Sequence, residues 1–531
     1  MSGPIISRRE WTWVTVAGAV VLALASLPII AGFAASQPDR VFRGLALHLP
    51  DGLSYLAKMR LGADGAWLFQ DRYAVEAHPP ILLYEPYLLL GKLSGPSPGA
   101  ALAIYHLARI VFGGALLALT YRFVALLLND VWQRRLAWLL IAVGGGFGWL
   151  LIALSGTPVP WGTPPLDLNL GEAFSFVALM SIPHVLLARS ALLVGVLAYA
   201  HAIVDGDNLR WTIIAASAWL VAAIGVPFDI LIAGGVVAGW LLVRWLWTRR
   251  APLREAGLGV LAGLPGAIWV IVLLAMMMMG DNEVYAQWTT QNLILLPHPL
   301  HLASAFGVPA MLAAFGARRA WVERRPHGDL FVGWLVMSPL LTLIPINVQL
   351  RLIEGFVLPL FALAVLGLDG LSRRPLARRL VGAALVAALL PSTLLLSLGG
   401  ASAALSGLDR LFSSPAEEAA FAWLDAHAPR EAVLLSSERV GLIAPWRASV
   451  RVVIGHQFET PYYARKAAEV AAFYDNGMHN VERREWLAHY GVRYVWWGPD
   501  ERALGAWDPE RLPELALVYS NGPVAIFEVS P

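Results

Sequence analysis

Between Trp11 and Leu398, long apolar runs alternate with short polar breaks. Several runs reach or exceed the roughly 18–20 residues needed to cross a bilayer core, and soluble core helices rarely come in such numbers. The pattern predicts about eleven spans, near 11–33, 100–128, 136–154, 182–204, 211–225, 228–247, 257–279, 302–317, 330–346, 355–371 and 380–398. The first follows Ser7-Arg8-Arg9 and is longer than the roughly 7–15-residue apolar core of a cleaved signal peptide, so it is predicted to be an uncleaved anchor. The spans 211–225 and 228–247 form a tight hairpin around Gly225-Val226-Pro227. One long polar interruption, 34–99, separates the first span from the second.

After Gly400 the period changes. Ser413-Ser414-Pro415 followed by Glu417-Glu418 signals a helix start, with a capping serine, an early proline and an acidic first turn. Strands are predicted at 432–437, 449–455, 492–498, 516–520 and 523–529, with helices at 461–475 and 481–490 between them. Mixed strands and helices of this kind make a small α/β domain. The predicted architecture is an all-α polytopic membrane domain over 1–400, with a large first outer loop at 34–99, followed by an α/β domain over 401–531.

Loop charge orients the chain. With the N-terminus in the cytoplasm, the inner loops hold Arg134-Arg135, Arg210, Arg249-Arg250, Arg318-Arg319 and Arg373-Arg374. The opposite loops, at 155–175, around 226 and at 280–301, contain no Lys or Arg. This positive-inside pattern predicts that 34–99 and the C-terminal domain are extracytoplasmic.

Composition agrees with a multi-pass membrane protein. Hydrophobic residues are 58% and charged residues 14%, against about 25% charged in soluble domains. The 22 Trp suit interfacial belts. A net charge of +2 gives no basic footprint for nucleic acid. With no cysteine, disulfides, thiolate metal sites and cysteine nucleophiles are excluded. Cationic side chains are almost all Arg; Lys58, Lys92 and Lys466 are the only lysines.

Candidate chemistry concentrates in Pro50–Leu83. Asp51 opens the stretch PDGLSYLAKMRLG, whose apolar spacing is helical, and a carboxylate in a first helical turn is favoured by the helix dipole. Its plain alternative is an N-cap. Arg109 lies about ten residues into its span, where an uncompensated charge costs about 2.5–3.5 kcal/mol and so needs a partner or a wet cavity. Asp167 with Glu172, in the segment 155–175, is a candidate for a divalent metal ion or an acceptor site; a solvated loop is the alternative. The segment 280–301 holds Asp281, Glu283, His298 and His301, without a metal-ligand spacing.

Asp51-Gly52-Leu53-Ser54-Tyr55, then Gly65-Ala66-Trp67, then His78-Pro79-Pro80-Ile81-Leu82-Leu83-Tyr84 resembles the first outer loop of GT-C membrane glycosyltransferases, in particular aminoarabinose transferases and protein O-mannosyltransferases. Arg109 matches an arginine frequent in the next span of that class. Leu350-Arg351-Leu352-Ile353-Glu354 is similar to its basic residue before a Leu-Pro-rich span. Gly52 stands where many members carry a second acidic residue, and His78 where Lys is frequent. The resemblance implies an inverting transfer of a hexosyl or pentosyl sugar from a polyprenyl-phosphate donor to an extracytoplasmic glycan, lipid or protein acceptor. It implies Asp51 as catalytic base, Arg109 and Arg351 at the donor phosphate, and Tyr55, His78, Asp167 and Glu172 around the acceptor or substrate cavity. No resident metal is assigned, and a divalent ion is the one cofactor left open. Two other classes compete: a transporter or flippase of lipid-linked or small solutes, and a non-catalytic scaffold on the same architecture. A transporter of the common type would carry paired broken helices and internal symmetry, and no convincing repeat is found in the sequence.

Overall fold

A computed structural model describes residues 5–204, 208–279, 282–371 and 374–530. Asp281 and Arg373 lie outside the described residues. Among those described, eight helices are long and apolar enough to cross a membrane, and nine if the bent pair Val131–Val143 and Gly148–Ser155 is one span. The predicted spans near 330–346 and 355–371 coincide with the shorter apolar helices Gly328–Leu341 and Val357–Leu371. The protein is a multi-pass membrane protein with a small sheet region.

The chain divides into two compact units. The first comprises Met1–Pro28, Leu107–Val272 and Ile294–Ser402; the second comprises Ile29–His106, Leu273–Leu293 and Ala403–Pro531. In the first, the helical bend between Val143 and Gly148 falls on Gly144-Gly145-Gly146, where the helical ladder stops and backbone N–H groups need other acceptors.

In the second unit, a mixed five-stranded sheet runs in the order Arg451–Val452, Val433–Leu435, Val492–Trp497, Val524–Val529, Leu515–Asn521. The first three strands are parallel neighbours and the last three antiparallel ones. The predicted capping serine is present, and with Glu417 it forms a capping box: Ser414 Oγ accepts from the Glu417 amide at 3.2 Å, and Glu417 Oε2 accepts from the Ser414 amide at 2.8 Å. Helix Glu438–Arg447 is an addition to the predicted elements. Its Gly441 and Pro445 depress helix propensity, but a Cβ at position 441 would meet the Ile454 carbonyl oxygen at 1.9 Å, so close packing against the segment after strand Arg451–Val452 selects the glycine.

The segment after the first span does not stand apart as a loop. Helix Leu49–Ala63 starts with Pro50 in its first turn and buries ten of its fifteen residues. It crosses helix Glu85–Ser94 at a backbone contact that needs two glycines. A Cβ on Gly62 would lie 2.1 Å from the Leu88 oxygen, and one on Gly91 would lie 1.8 Å from the Met59 oxygen. Leu53, Leu56 and Met59 are fully buried in one core with Phe421, Leu434, Val452, Trp496 and Ile526 from the C-terminal segment. Each such side chain contributes about 1.5–3 kcal/mol of burial. Polar ties reinforce this core. The Val452 amide donates to the Arg72 carbonyl at 3.0 Å, and Arg72 forms an ion pair with Asp64 at 2.7 Å. Lys466 pairs with Glu76 at 2.7 Å. The first polar segment and the C-terminal segment therefore share one hydrophobic core.

Candidate active site

Asp51 lies in the first turn of helix Leu49–Ala63, with its side chain 45% exposed. Positions 51, 54 and 58 follow the i, i+3, i+7 spacing of one helix face. Ser54 and Lys58 are buried and meet Glu459, which the turn after strand Arg451–Val452 brings in. Ser54 Oγ donates to Glu459 Oε1 at 2.7 Å, and Lys58 Nζ donates to the two carboxylate oxygens at 2.8 and 3.0 Å. The ammonium also donates to Ser54 Oγ and stands 4.1 Å over the Tyr84 ring. A cavity of about 10 Å³, bounded by Ala57, Lys58, Phe69, Asp71, Tyr73 and Glu459, adjoins this pair; that is about the room of a single water.

His456 links this buried network to Asp51. Its Nε2 approaches Asp51 Oδ1 at 3.6 Å, and its Nδ1 lies 4.0 Å from Glu459 Oε1. Burial disfavours the imidazolium, but the charges of Glu459 and Asp51 outweigh it and raise the histidine above its ordinary range. Burial pushes Glu459 up, yet Lys58 and His456 overrule it and hold the carboxyl below its usual value. Asp71, buried and facing the Glu459 charge, is pushed up to about 7, with Lys58 opposing. A carboxylate open to one side, backed by alternating charges, is suited to accept a proton from a hydroxyl.

Tyr55, on the same helix, stacks on Tyr87 of helix Glu85–Ser94 with ring centroids 4.5 Å apart. His78 is used locally. Its Nε2 accepts from the Asp71 amide at 2.9 Å, and its Nδ1 lies 2.8 Å from the Glu76 carbonyl. Burial holds it below the ordinary histidine range. The neutral ring with hydrogen on Nδ1 satisfies both contacts, so His78 braces its segment.

Arg109, Arg351, Asp167 and Glu172 belong to the first unit. Arg109 is 1% exposed and donates to the Leu179 carbonyl at 2.6 Å and to Ser26 Oγ at 2.8 Å, tying together three helices of that unit. Asp167 is 2% exposed. Its Oδ2 accepts from the amides of Gly146 at 2.8 Å and Gly148 at 3.1 Å, and from Ser392 Oγ at 2.6 Å. It supplies the acceptors that the broken helix lacks. Glu172 faces Arg351 at 3.3 Å, and Arg351 is 30% exposed. Arg189 forms a fully buried ion pair with Glu354 and donates to the Gly171 and Glu172 carbonyls at 2.6 and 2.7 Å.

Of the carboxylates named from sequence for a divalent ion, Asp167 has its Oδ2 engaged by two backbone amides and a serine hydroxyl, and Glu172 faces a guanidinium. Among the described residues no group of three or more His, Asp or Glu is arranged to hold a metal. Sequence reasoning named Asp51 but not its backing residues. The i, i+3, i+7 spacing of Asp51, Ser54 and Lys58, in a chain with three lysines, was the available signal; that Glu459 and His456 meet this face had none, because they lie more than 400 positions away.

No protein-family model and no curated protein sequence matches the chain. Solved structures do. The oligosaccharyltransferase AglB of Archaeoglobus fulgidus, in complex with an inhibitory peptide and a dolichol-phosphate, matches at a TM-score of 0.57 and 12% identity, over 99% of this chain and 75% of its own. ArnT of Cupriavidus metallidurans, bound to undecaprenyl phosphate, matches at 0.54 and 16%, over 98% of each chain. The mycobacterial arabinofuranosyltransferase AftD matches at 0.55 and 14%, over 99% of this chain and 40% of its own. The chain has the GT-C fold expected from its first polar segment.

Proposed function

We propose that this protein is a membrane glycosyltransferase that moves a sugar from a polyprenyl-phosphate donor to an extracytoplasmic acceptor. The observation that carries the reading is Asp51, an accessible carboxylate beside His456 and a buried Lys58–Glu459 pair, in a chain of GT-C fold. ArnT and AglB bound to polyprenyl or dolichol phosphate support the donor class. The arginine asymmetry of the loops supports a cytoplasmic N-terminus and an extracytoplasmic second unit.

In this reading Asp51 removes the proton of the acceptor hydroxyl as its oxygen attacks the anomeric carbon from the face opposite the leaving group, and configuration inverts. The sugar–phosphate C–O bond breaks, and polyprenyl phosphate leaves with the electron pair. Guanidinium groups suit that leaving group because they donate bidentately to phosphate. Arg351 is the arginine proposed for this role, since its guanidinium is partly exposed whereas that of Arg109 is committed to a carbonyl and a hydroxyl.

The test is transfer from a panel of undecaprenyl-phosphate sugars by the full chain in lipid nanodiscs, with Asp51→Asn as the variant. Release of undecaprenyl phosphate coupled to a glycosylated product, abolished in Asp51→Asn, supports the reading. Full activity in Asp51→Asn removes Asp51 from the mechanism, and solute movement in proteoliposomes without any covalent product supports the transporter class instead.

A further inference from the structure

His456 is buried and hydrogen-bonded within its own turn. Its side chain is 4% exposed. Its carbonyl accepts from the Glu459 and Thr460 amides at 3.1 and 2.8 Å, and the Gly455 amide donates to Thr460 Oγ1 at 3.1 Å. The Phe458 amide donates to Nδ1 at 3.3 Å. A neutral imidazole that accepts on Nδ1 carries its hydrogen on Nε2, and Nε2 is the nitrogen turned toward Asp51.

We propose that His456 is the positioning residue of Asp51: its Nε2–H orients the carboxylate that takes the acceptor proton, so the C-terminal segment completes a site begun by the first polar segment. The inference rests on the reading of Asp51 as base. His456 exchanges no proton in the transfer step; the acceptor proton goes to Asp51 and the electron pair of the broken bond to the departing phosphate.

The charged and titratable groups around the ring are Asp51, Glu459, Lys58, Asp71 and Tyr73. Asp51 and Glu459 favour the imidazolium, and Lys58 opposes it. While the ring is charged, its attraction for Asp51 weakens that carboxylate as a base. As pH rises through the histidine's elevated value the charge is lost, the Nε2–H remains, and Asp51 regains its basicity. His456 therefore contributes to the acid limb of the rate profile.

Histidine NMR of the full chain in nanodiscs, labelled at Cε1 and without substrate, tests the coupling directly. The resonance missing from His456→Gln should titrate above the ordinary histidine range, and in Asp51→Asn it should titrate about one pH unit lower. An unchanged titration in Asp51→Asn overturns the proposal. In the undecaprenyl-phosphate sugar assay, His456→Gln keeps a donor near Nε2 but no titrating ring. It should lower kcat about 10-fold at constant KM and move the acid limb to lower pH, and His456→Ala should lower kcat about 100-fold. Wild-type kcat and pH profile in both variants also overturn it. An active Asp51→Asn whose His456 resonance still shifts would defeat the base assignment alone. An inactive Asp51→Asn with no shift would defeat the His456 role alone.

Discussion

Two polar segments of this chain look alike in sequence and end differently. Pro50–Leu83 and 155–175 each interrupt apolar runs, and each sets an aspartate close behind a proline at a helix start. Asp167 is buried, and two backbone amides and a serine hydroxyl use up one of its oxygens. Asp51 is half-exposed beside a histidine. The same contrast separates the arginines: Arg109 is committed to a carbonyl and a hydroxyl, whereas Arg351 is partly exposed against Glu172. The lesson is that a charged residue near a membrane is assigned by its donors and acceptors rather than by its position in a loop. A buried group satisfied by backbone holds the chain, whereas a group partly exposed to solvent stays within reach of a ligand.

Substitutions can break this contrast. The largest effect is expected from Asp51→Asn, which should lower transfer by about 10²–10⁴-fold, the range of general base catalysis, while thermal unfolding stays near that of the parent chain. Next is Lys58→Met. It leaves the Glu459 carboxylate buried without its cation and should destabilise the second unit by about 3–5 kcal/mol, read as a lower unfolding temperature in detergent. Asp167→Ala follows. It strips the acceptor from the Gly146 and Gly148 amides and should cost about 2–3 kcal/mol of stability, while the correctly folded fraction keeps its specific activity. A loss of activity at full stability in Asp167→Ala would merge the two segments into one function. The smallest effect is expected from Arg351→Gln. A partly exposed ion pair contributes at most about 1 kcal/mol to stability, so unfolding should barely change. KM for the undecaprenyl-phosphate donor should rise about 10-fold, or about 1.4 kcal/mol. An unchanged KM would remove Arg351 from the donor site.

Much of this was legible in the chain itself. The apolar runs named helices over every predicted span, including the short ones at Gly328–Leu341 and Val357–Leu371, because span length and hydropathy are local properties. The strands of the C-terminal segment were legible from their β-branched and aromatic runs, and the helix start at Ser414 from its cap. Asp51 entered as a candidate from a motif, and its role is a proposal. Helix Glu438–Arg447 was not legible, because its glycine answers to the Ile454 carbonyl packed against it rather than to helix propensity. The partners of the charged residues were not legible either. Sequence alone established that Lys58 and Glu459 exist and that each must be paired if buried, since an isolated buried charge is too costly to keep. Only the tertiary structure decided that they pair with each other across some 400 residues, and that His456 stands at Asp51. Hydrophobic period acts over a few residues and is written locally. Charge pairing and orientation act over a few ångströms of space, and the folded chain alone sets which residues share that space.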